Sequence, residues 1–214
     1  NPSKDSVIID QLQSEQGSRF FKKRNRNMIV EIKDDFDIEE NYSWLTLGQL
    51  KYLMTIDNIV NMDSRTVTSH LLNGIENNIS GLDIENQTNV DKRILKSLDS
   101  SSYTFNSYSQ LHSFMSHAKS TFAIDYKPKN LKELENWYVN ENLIRHSSGQ
   151  YFSIIGVNVS IENREVVHWD QPMIEPSSHG TCILFSAELE GVLHLLIRRR
   201  FEFGLKDYYE FGPR

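Results

Sequence analysis

The chain has 214 residues and a mass of 25.0 kDa, enough for one large domain or two small ones with a self-sufficient core. Hydrophobic residues at 38%, charged residues at 24% and eleven Phe exclude a disordered chain, and no apolar run reaches the ~18 residues of a membrane span. A net charge of −6 and a pI near 5.7 argue against nucleic acid as the main partner. The single cysteine, Cys182, leaves no disulfide framework or Cys-based zinc site and suits a reducing cytoplasm. Asn1 to Gln16 have no basic start and apolar stretch of a secretory signal. Opening on Asn1 and stopping at Pro213-Arg214, the sequence reads as a piece of something longer.

In chain order, Arg19, Lys22, Lys23, Arg24 and Arg26 form a basic block interleaved with Phe20 and Phe21, which suits a packed segment. Glu31, Asp34, Asp35, Asp37, Glu39 and Glu40 follow, so the two blocks either pair or stay as solvated faces. Thr46 and Gln49 make a capping box ahead of Leu47, Leu50, Leu53 and Met54, predicting a helix over 46–55. Asp63 or Ser64 can cap a second helix carrying Val67, Leu71 and Leu72, with Asn73-Gly74 closing it. Residues 73–104 read as a polar surface excursion with a short helix near 90–98, and a clearer helix follows at 107–120. Asn130 and Glu133 form another capping pattern.

After residue 137 the period shortens. Strands are expected at 151–161, 164–169, 181–187, 192–200 and 208–211, with Glu190-Gly191 as a hairpin turn. The class is α+β, with residues 1–104 a helical, junction-like part and 105–214 a β-rich part.

Few motifs carry chemistry by themselves. His112 and His117 are five apart, not four, and no other spacing gathers a metal set. No phosphate-binding glycine loop and no G-x-S-x-G nucleophile frame is present. Arg198-Arg-Arg200 ends an apolar strand, and is either a set of charged edge guards or a cation aimed at a diphosphate. Trp169-Asp-Gln-Pro172 offers an aromatic face with an amide beside it, for a base, a sugar or the core.

Five stretches together resemble the NDP-hexose 2,3-dehydratases of deoxysugar biosynthesis. They are Asp10-Gln-Leu-Gln-Ser-Glu-Gln-Gly17 running into Phe21-Lys-Lys-Arg-Asn-Arg-Asn-Met28; Trp44-Leu-Thr-Leu-Gly-Gln-Leu50; Asp57-Asn-Ile-Val-Asn-Met-Asp-Ser-Arg-Thr-Val67; Arg164-Glu-Val with Trp169-Asp-Gln-Pro172; and Gly191-Val-Leu-His-Leu195. The resemblance implies a Nudix-like fold with a mixed, largely antiparallel sheet and flanking helices, in one of two related repeats, with this chain as the junction and second repeat. Arg199-Arg-Phe-Glu202-Phe-Gly204 keeps only the Glu and Gly of its family strand, and the glutamate-rich Nudix box is missing.

The implied reaction removes water across carbons 2 and 3 of an NDP-4-keto-6-deoxyhexose, with no redox cofactor and no metal. It needs a base, an acid for the leaving hydroxyl and cations for the diphosphate. The resemblance offers Glu202 and Asp63 for proton transfer, with helix capping the competing role of Asp63. It offers Arg24, Arg26, Arg65 and Arg200 for the diphosphate, and Trp169 and Gln171 for the base or sugar. The expected partner is the nucleotide-sugar substrate, in a cytoplasmic homodimer without nucleic acid or membrane. A repeat that binds the nucleotide sugar without turning it over is the alternative, and a Nudix-type hydrolase is a more distant one.

Overall fold

The computed structural model describes residues 6–32, 40–71, 89–99, 101–162 and 165–213, with backbone alone for 89–91. The chain divides into two compact units: residues 1–121 with 184–214, and residues 122–183.

The basic block is a strand. β1 (Val7–Ser14) and β2 (Arg24–Val30) pair antiparallel from Ser14↔Arg24 outward. Their polar side chains find partners across the pair: Arg26 forks onto both Asp10 oxygens at 2.7 and 2.6 Å, and Asn27 donates to Gln13 at 2.9 Å. Most of the acidic block falls in 33–39, outside the described residues, so its pairing with the basic block is not seen.

The helix expected at 46–55 is α1 (Leu47–Leu53), closed at its start by the reciprocal Thr46–Gln49 box. α2 (Met62–Ser69) starts earlier than expected because Asn61, not Asp63 or Ser64, is the cap: its side-chain oxygen accepts from the Ser64 N–H at 2.9 Å. Asp63 therefore lies inside the first turn, where negative charge is favoured. The expected closure at Asn73-Gly74, with Leu72, lies outside the described residues, as does most of the polar excursion. α3 (Asn89–Leu98) and α4 (Tyr108–Thr121) occupy the other two helical stretches. α4 is started by a second reciprocal box, Ser107 with Gln110. The Asn130 pattern yields only a single 3-10 turn, Leu131–Glu133, with the Asn130 side chain accepting from the Lys132 N–H.

The second unit is a four-stranded antiparallel meander of β3 (Trp137–Val139), β4 (Leu143–His146), β5 (Ser153–Ser160) and β6 (His168–Glu175), in sequence order. Asn140 turns the first hairpin by accepting from the N–H groups of Asn142 and Leu143. Trp137 packs against Phe152 and His146, both with centroids 5.5 Å away. Pro172 is tolerated because β6 is an edge strand. β6 begins at His168, later than the strand expected from Arg164, and 163–164 lie outside the described residues.

Returning to the first unit, β7 (Phe185–Leu189) and β8 (Val192–Leu196) form the hairpin expected at Glu190-Gly191, both turn residues having positive φ of 48° and 71°. α3 lies against this hairpin, with Ser97 donating to the Leu193 carbonyl and Arg93 paired to Glu188 at 3.3 Å. β9 (Arg198–Phe201) and β10 (Tyr209–Gly212) form a second hairpin. The expected strand over 192–200 is thus broken at Ile197, and each half takes its own partner. The class is α+β as expected. The described strands form four separate sheets in which every pairing is antiparallel, instead of one mixed sheet.

Candidate functional site

A cleft of about 750 Å³ opens beside the β1–β2 pair, within the size range of small-molecule sites. Three walls form it: the turn that follows β1 (Glu15, Gln16, Arg19, Phe20), the first half of β2 with Lys23 before it, and the start of α2 (Met62, Asp63, Val67). Alternation puts Asn25 and Asn27 on one face of β2. Glu15, whose side chain is only 12% exposed, accepts from Asn25 at 2.7 Å and pairs loosely with Lys23 at 3.5 Å. The Asn25 hydrogen bond, then the Gln16 N–H and Lys23, hold the Glu15 carboxyl below its ordinary range against the opposing effect of burial. Lys23 also lies over the Phe20 ring, 4.9 Å from its centroid.

Asp63 is exposed at the cleft and makes no side-chain hydrogen bond or ion pair among the described residues. Arg19 is equally uncommitted. Arg26 also lines the cleft, but Asp10 holds its fork and each ion favours the charged form of the other. Among residues proposed from the sequence, the cleft therefore gathers Asp63 and Arg26. Nothing in the sequence marks Glu15, Arg19, Lys23, Asn25 and Asn27 as site residues, because only the strand register and the packed helix bring them to one cleft.

Glu202 follows β9 and packs behind the same turn. Gly17 and Gly204 meet there at backbone distance: the Gly204 N–H donates to the Gly17 carbonyl at 2.8 Å, and the Lys22 N–H donates to the Gly204 carbonyl at 2.6 Å. A Cβ on Gly204 would sit 2.0 Å from the Phe20 carbonyl oxygen, and one on Gly17 would sit 2.9 Å from Glu202 Cβ. Phe21 stacks on Phe203 at 5.7 Å beside this clasp, and Ser14 donates to Glu210. The Glu202 side chain is 12% exposed and ion-paired to Arg200, so these two proposed residues are neighbours. Glu202 does not line the cleft.

The other proposed residues are dispersed. Arg65 spends its guanidinium on the carbonyls of Val60 and Met54, both at 3.0 Å, which ties α2 to the loop before it. Arg24 is exposed and, among the described residues, unpaired. Trp169 and Gln171 belong to the second unit, where the indole N–H donates to the Gln171 side chain. Gln171 there lines a shallower hollow on the β5–β6 face.

Two of the five stretches that carry the sequence resemblance, the first in both its parts and the third, thus meet at the cleft. Comparison with known proteins agrees: a model of the NDP-hexose 2,3-dehydratase family matches residues 1–71 and 108–214. The chain belongs to the NDP-hexose 2,3-dehydratase family. It is 38% identical, over 97% of its length, to a dTDP-4-dehydro-6-deoxy-alpha-D-glucopyranose 2,3-dehydratase of Saccharopolyspora spinosa, covering 42% of that protein. Proteins of the same name from Amycolatopsis orientalis and Streptomyces violaceoruber are 33% and 34% identical over 99% and 98% of the chain, which covers 40% and 44% of them. The chain therefore spans less than half the length of these curated relatives. The matched residues leave out 72–107, which include the stretch 73–104 read from sequence as a surface excursion.

Proposed function

We propose that this chain contributes to a lyase that removes water across carbons 2 and 3 of a dTDP-4-keto-6-deoxyhexose. The observation that carries the reading is the convergence of the Ser14–Gly17, Phe21–Met28 and Asp57–Val67 stretches on one cleft that holds an uncommitted carboxylate, Asp63. Family membership and the names of the relatives support the substrate class.

The ketone at carbon 4 acidifies the carbon 3 proton. A base takes that proton and the electrons pass to the ketone oxygen as an enolate. Collapse of the enolate expels the carbon 2 oxygen, which leaves as water because a general acid protonates it. The resulting enol tautomerises to a 3,4-diketone. Asp63 and Glu202 are the proposed proton-transfer groups: Asp63 is free at the cleft, whereas Glu202 lies behind the turn, outside the cleft lining, screened from water and ion-paired to Arg200. Of the sequence candidates for the diphosphate, Arg24, Arg26, Arg65 and Arg200, Arg24 is the best placed to serve, since Arg26, Arg65 and Arg200 are held by Asp10, two carbonyls and Glu202. Trp169 and Gln171, in the second unit, are the proposed base or sugar contacts. A Nudix-like repeat, cytoplasmic residence and homodimer assembly complete this reading. A lone exposed thiol, Cys182, supports a reducing compartment, and the exposed Trp44, Leu47 and Tyr52 support an association surface.

A second reading is binding without turnover. It is favoured by the ion pair that occupies Glu202. Incubation with dTDP-4-keto-6-deoxyglucose, followed by mass spectrometry, separates the two. The 214-residue chain is tested both alone and within a family-length polypeptide. A product lighter by one water supports the lyase; binding without mass change in both forms supports the second reading. Release of a nucleoside monophosphate overturns both. If Glu202→Gln leaves turnover undiminished, Glu202 is not a proton-transfer group.

A further inference from the structure

The geometry points to a direction of substrate binding in the cleft: Arg19, with Lys23, takes the diphosphate at the turn end, and the hexose lies along Asn25 and Asn27 toward Asp63. This deepens the dehydratase reading and rests on it.

Three observations give the cleft its polarity. Its uncommitted cation is at one end. Arg19 lies on the turn after β1, and among the described residues its guanidinium has no acidic partner, unlike Arg26 on Asp10 and Arg200 on Glu202. A guanidinium without a partner keeps its fork available for a bidentate phosphate contact. Lys23 is next to it, held only loosely by Glu15 at 3.5 Å, so it can add a second positive charge without a rigid geometry.

Amides then continue along the strand. Asn25 and Asn27 follow Lys23 on alternating positions, so each step moves about 7 Å from the turn. That is the scale on which a hexose ring follows its diphosphate. Asn25 and Asn27 each use one amide group on a neighbour, Glu15 and Gln13 respectively, which fixes their orientation and leaves their carbonyl oxygens as acceptors for sugar hydroxyls.

Opposite the amides is the start of α2, with the free Asp63 carboxylate. In this direction the reacting carbons of the hexose face the free Asp63 carboxylate, while the Glu15 carboxylate at the diphosphate end is already engaged by Asn25 and Lys23. The reverse direction would set a diphosphate against Asp63 and leave Arg19 facing an uncharged ring.

Binding of dTDP, inorganic pyrophosphate and dTDP-4-keto-6-deoxyglucose to the 214-residue chain, by calorimetry, tests the assignment. Arg19→Gln is expected to weaken dTDP and pyrophosphate about tenfold, Arg19→Lys to be intermediate, and Lys132→Gln, an equal loss of charge on the second unit, to leave both unchanged. Asn27→Ala is expected to weaken the nucleotide sugar several-fold while dTDP stays within about twofold of the parent. Far-UV circular dichroism checks that each variant is folded. If the parent binds dTDP and Arg19→Gln binds it equally well, the diphosphate assignment is overturned while the dehydratase reading stands. If Asn27→Ala weakens dTDP and the nucleotide sugar alike, the direction is overturned. A parent chain that binds none of the three overturns the direction and the nucleotide-sugar reading together.

Discussion

Replacing Gly204 with alanine is the sharpest test of how the two ends of the first unit are joined. The added Cβ would meet two backbone carbonyl oxygens, Phe20 at 2.0 Å and Gly17 at 2.3 Å, and neither can rotate away. The turn must separate, and the two backbone hydrogen bonds of the clasp, at 2.8 and 2.6 Å, lengthen or break. Loss of those bonds, at about 1 kcal/mol each, and a forced backbone shift of about 1–3 kcal/mol put the expected cost at about 3–5 kcal/mol. That is a large share of a typical domain's stability. Gly17→Ala should cost less, since the nearest atom it meets is the movable Leu205 side chain at 2.7 Å, although Leu205 N is close behind at 2.8 Å. Gly180→Ala, with nothing within 4 Å, should be neutral. Urea unfolding followed by circular dichroism ranks the three variants, and hydrogen exchange at the Lys22 and Gly204 amides reads the clasp directly. Equal midpoints for Gly204→Ala and Gly180→Ala, with both amides still protected, would refute the clasp.

Other expectations follow from single contacts. Arg65→Lys should lower stability by about 1–3 kcal/mol in urea, because one ammonium cannot serve the Val60 and Met54 carbonyls as a planar fork does. Glu190→Asn should stabilise by about 0.5–1 kcal/mol in the same assay, since φ of 48° suits Asn better than Glu in a two-residue hairpin turn. The Arg26 hydrogen bond holds the Asp10 carboxyl below its ordinary value of 3.8. A carboxyl lower in the folded state than in the unfolded one stabilises above the unfolded value, and that stabilisation is lost as pH falls through the folded one. Amide exchange in β1 and β2 should therefore quicken below about pH 4, and Asp10→Asn should remove that part of the acid sensitivity.

Much of the fold was legible because its signals are local. The Thr46–Gln49 box and the Glu190-Gly191 turn each act within a few residues, and both formed as expected. β1 and β2 carry no clear strand signal because their buried-to-exposed alternation is weak: polar positions run through both strands, with Arg26 bonded to Asp10 and Asn27 to Gln13 across the ladder, which leaves no apolar period to read. The start of α2 is ambiguous in the sequence for a related reason. Asn61, Asp63 and Ser64 are all competent caps, and only the backbone path decides that Asn61 accepts the bond from Ser64.

The same limit governs the site, with a consequence for how its cations are ranked. In the sequence, Arg19, Arg24, Arg26 and Arg65 are equivalent positive charges. In the fold they differ by partner: Arg26 belongs to Asp10, Arg65 to two carbonyls, and Arg19 and Arg24 to no acid among the described residues. A committed arginine would have to give up a charge-assisted bond to receive a phosphate, whereas an uncommitted one gives up only water. Lining the cleft then separates Arg19 from Arg24. Removing Arg26 should consequently loosen the β1–β2 pair more than it weakens dTDP binding, while removing Arg19 should do the reverse. Measuring amide exchange and dTDP affinity on both variants tests that crossing, and parallel losses in the two variants would remove the distinction between holding and binding cations.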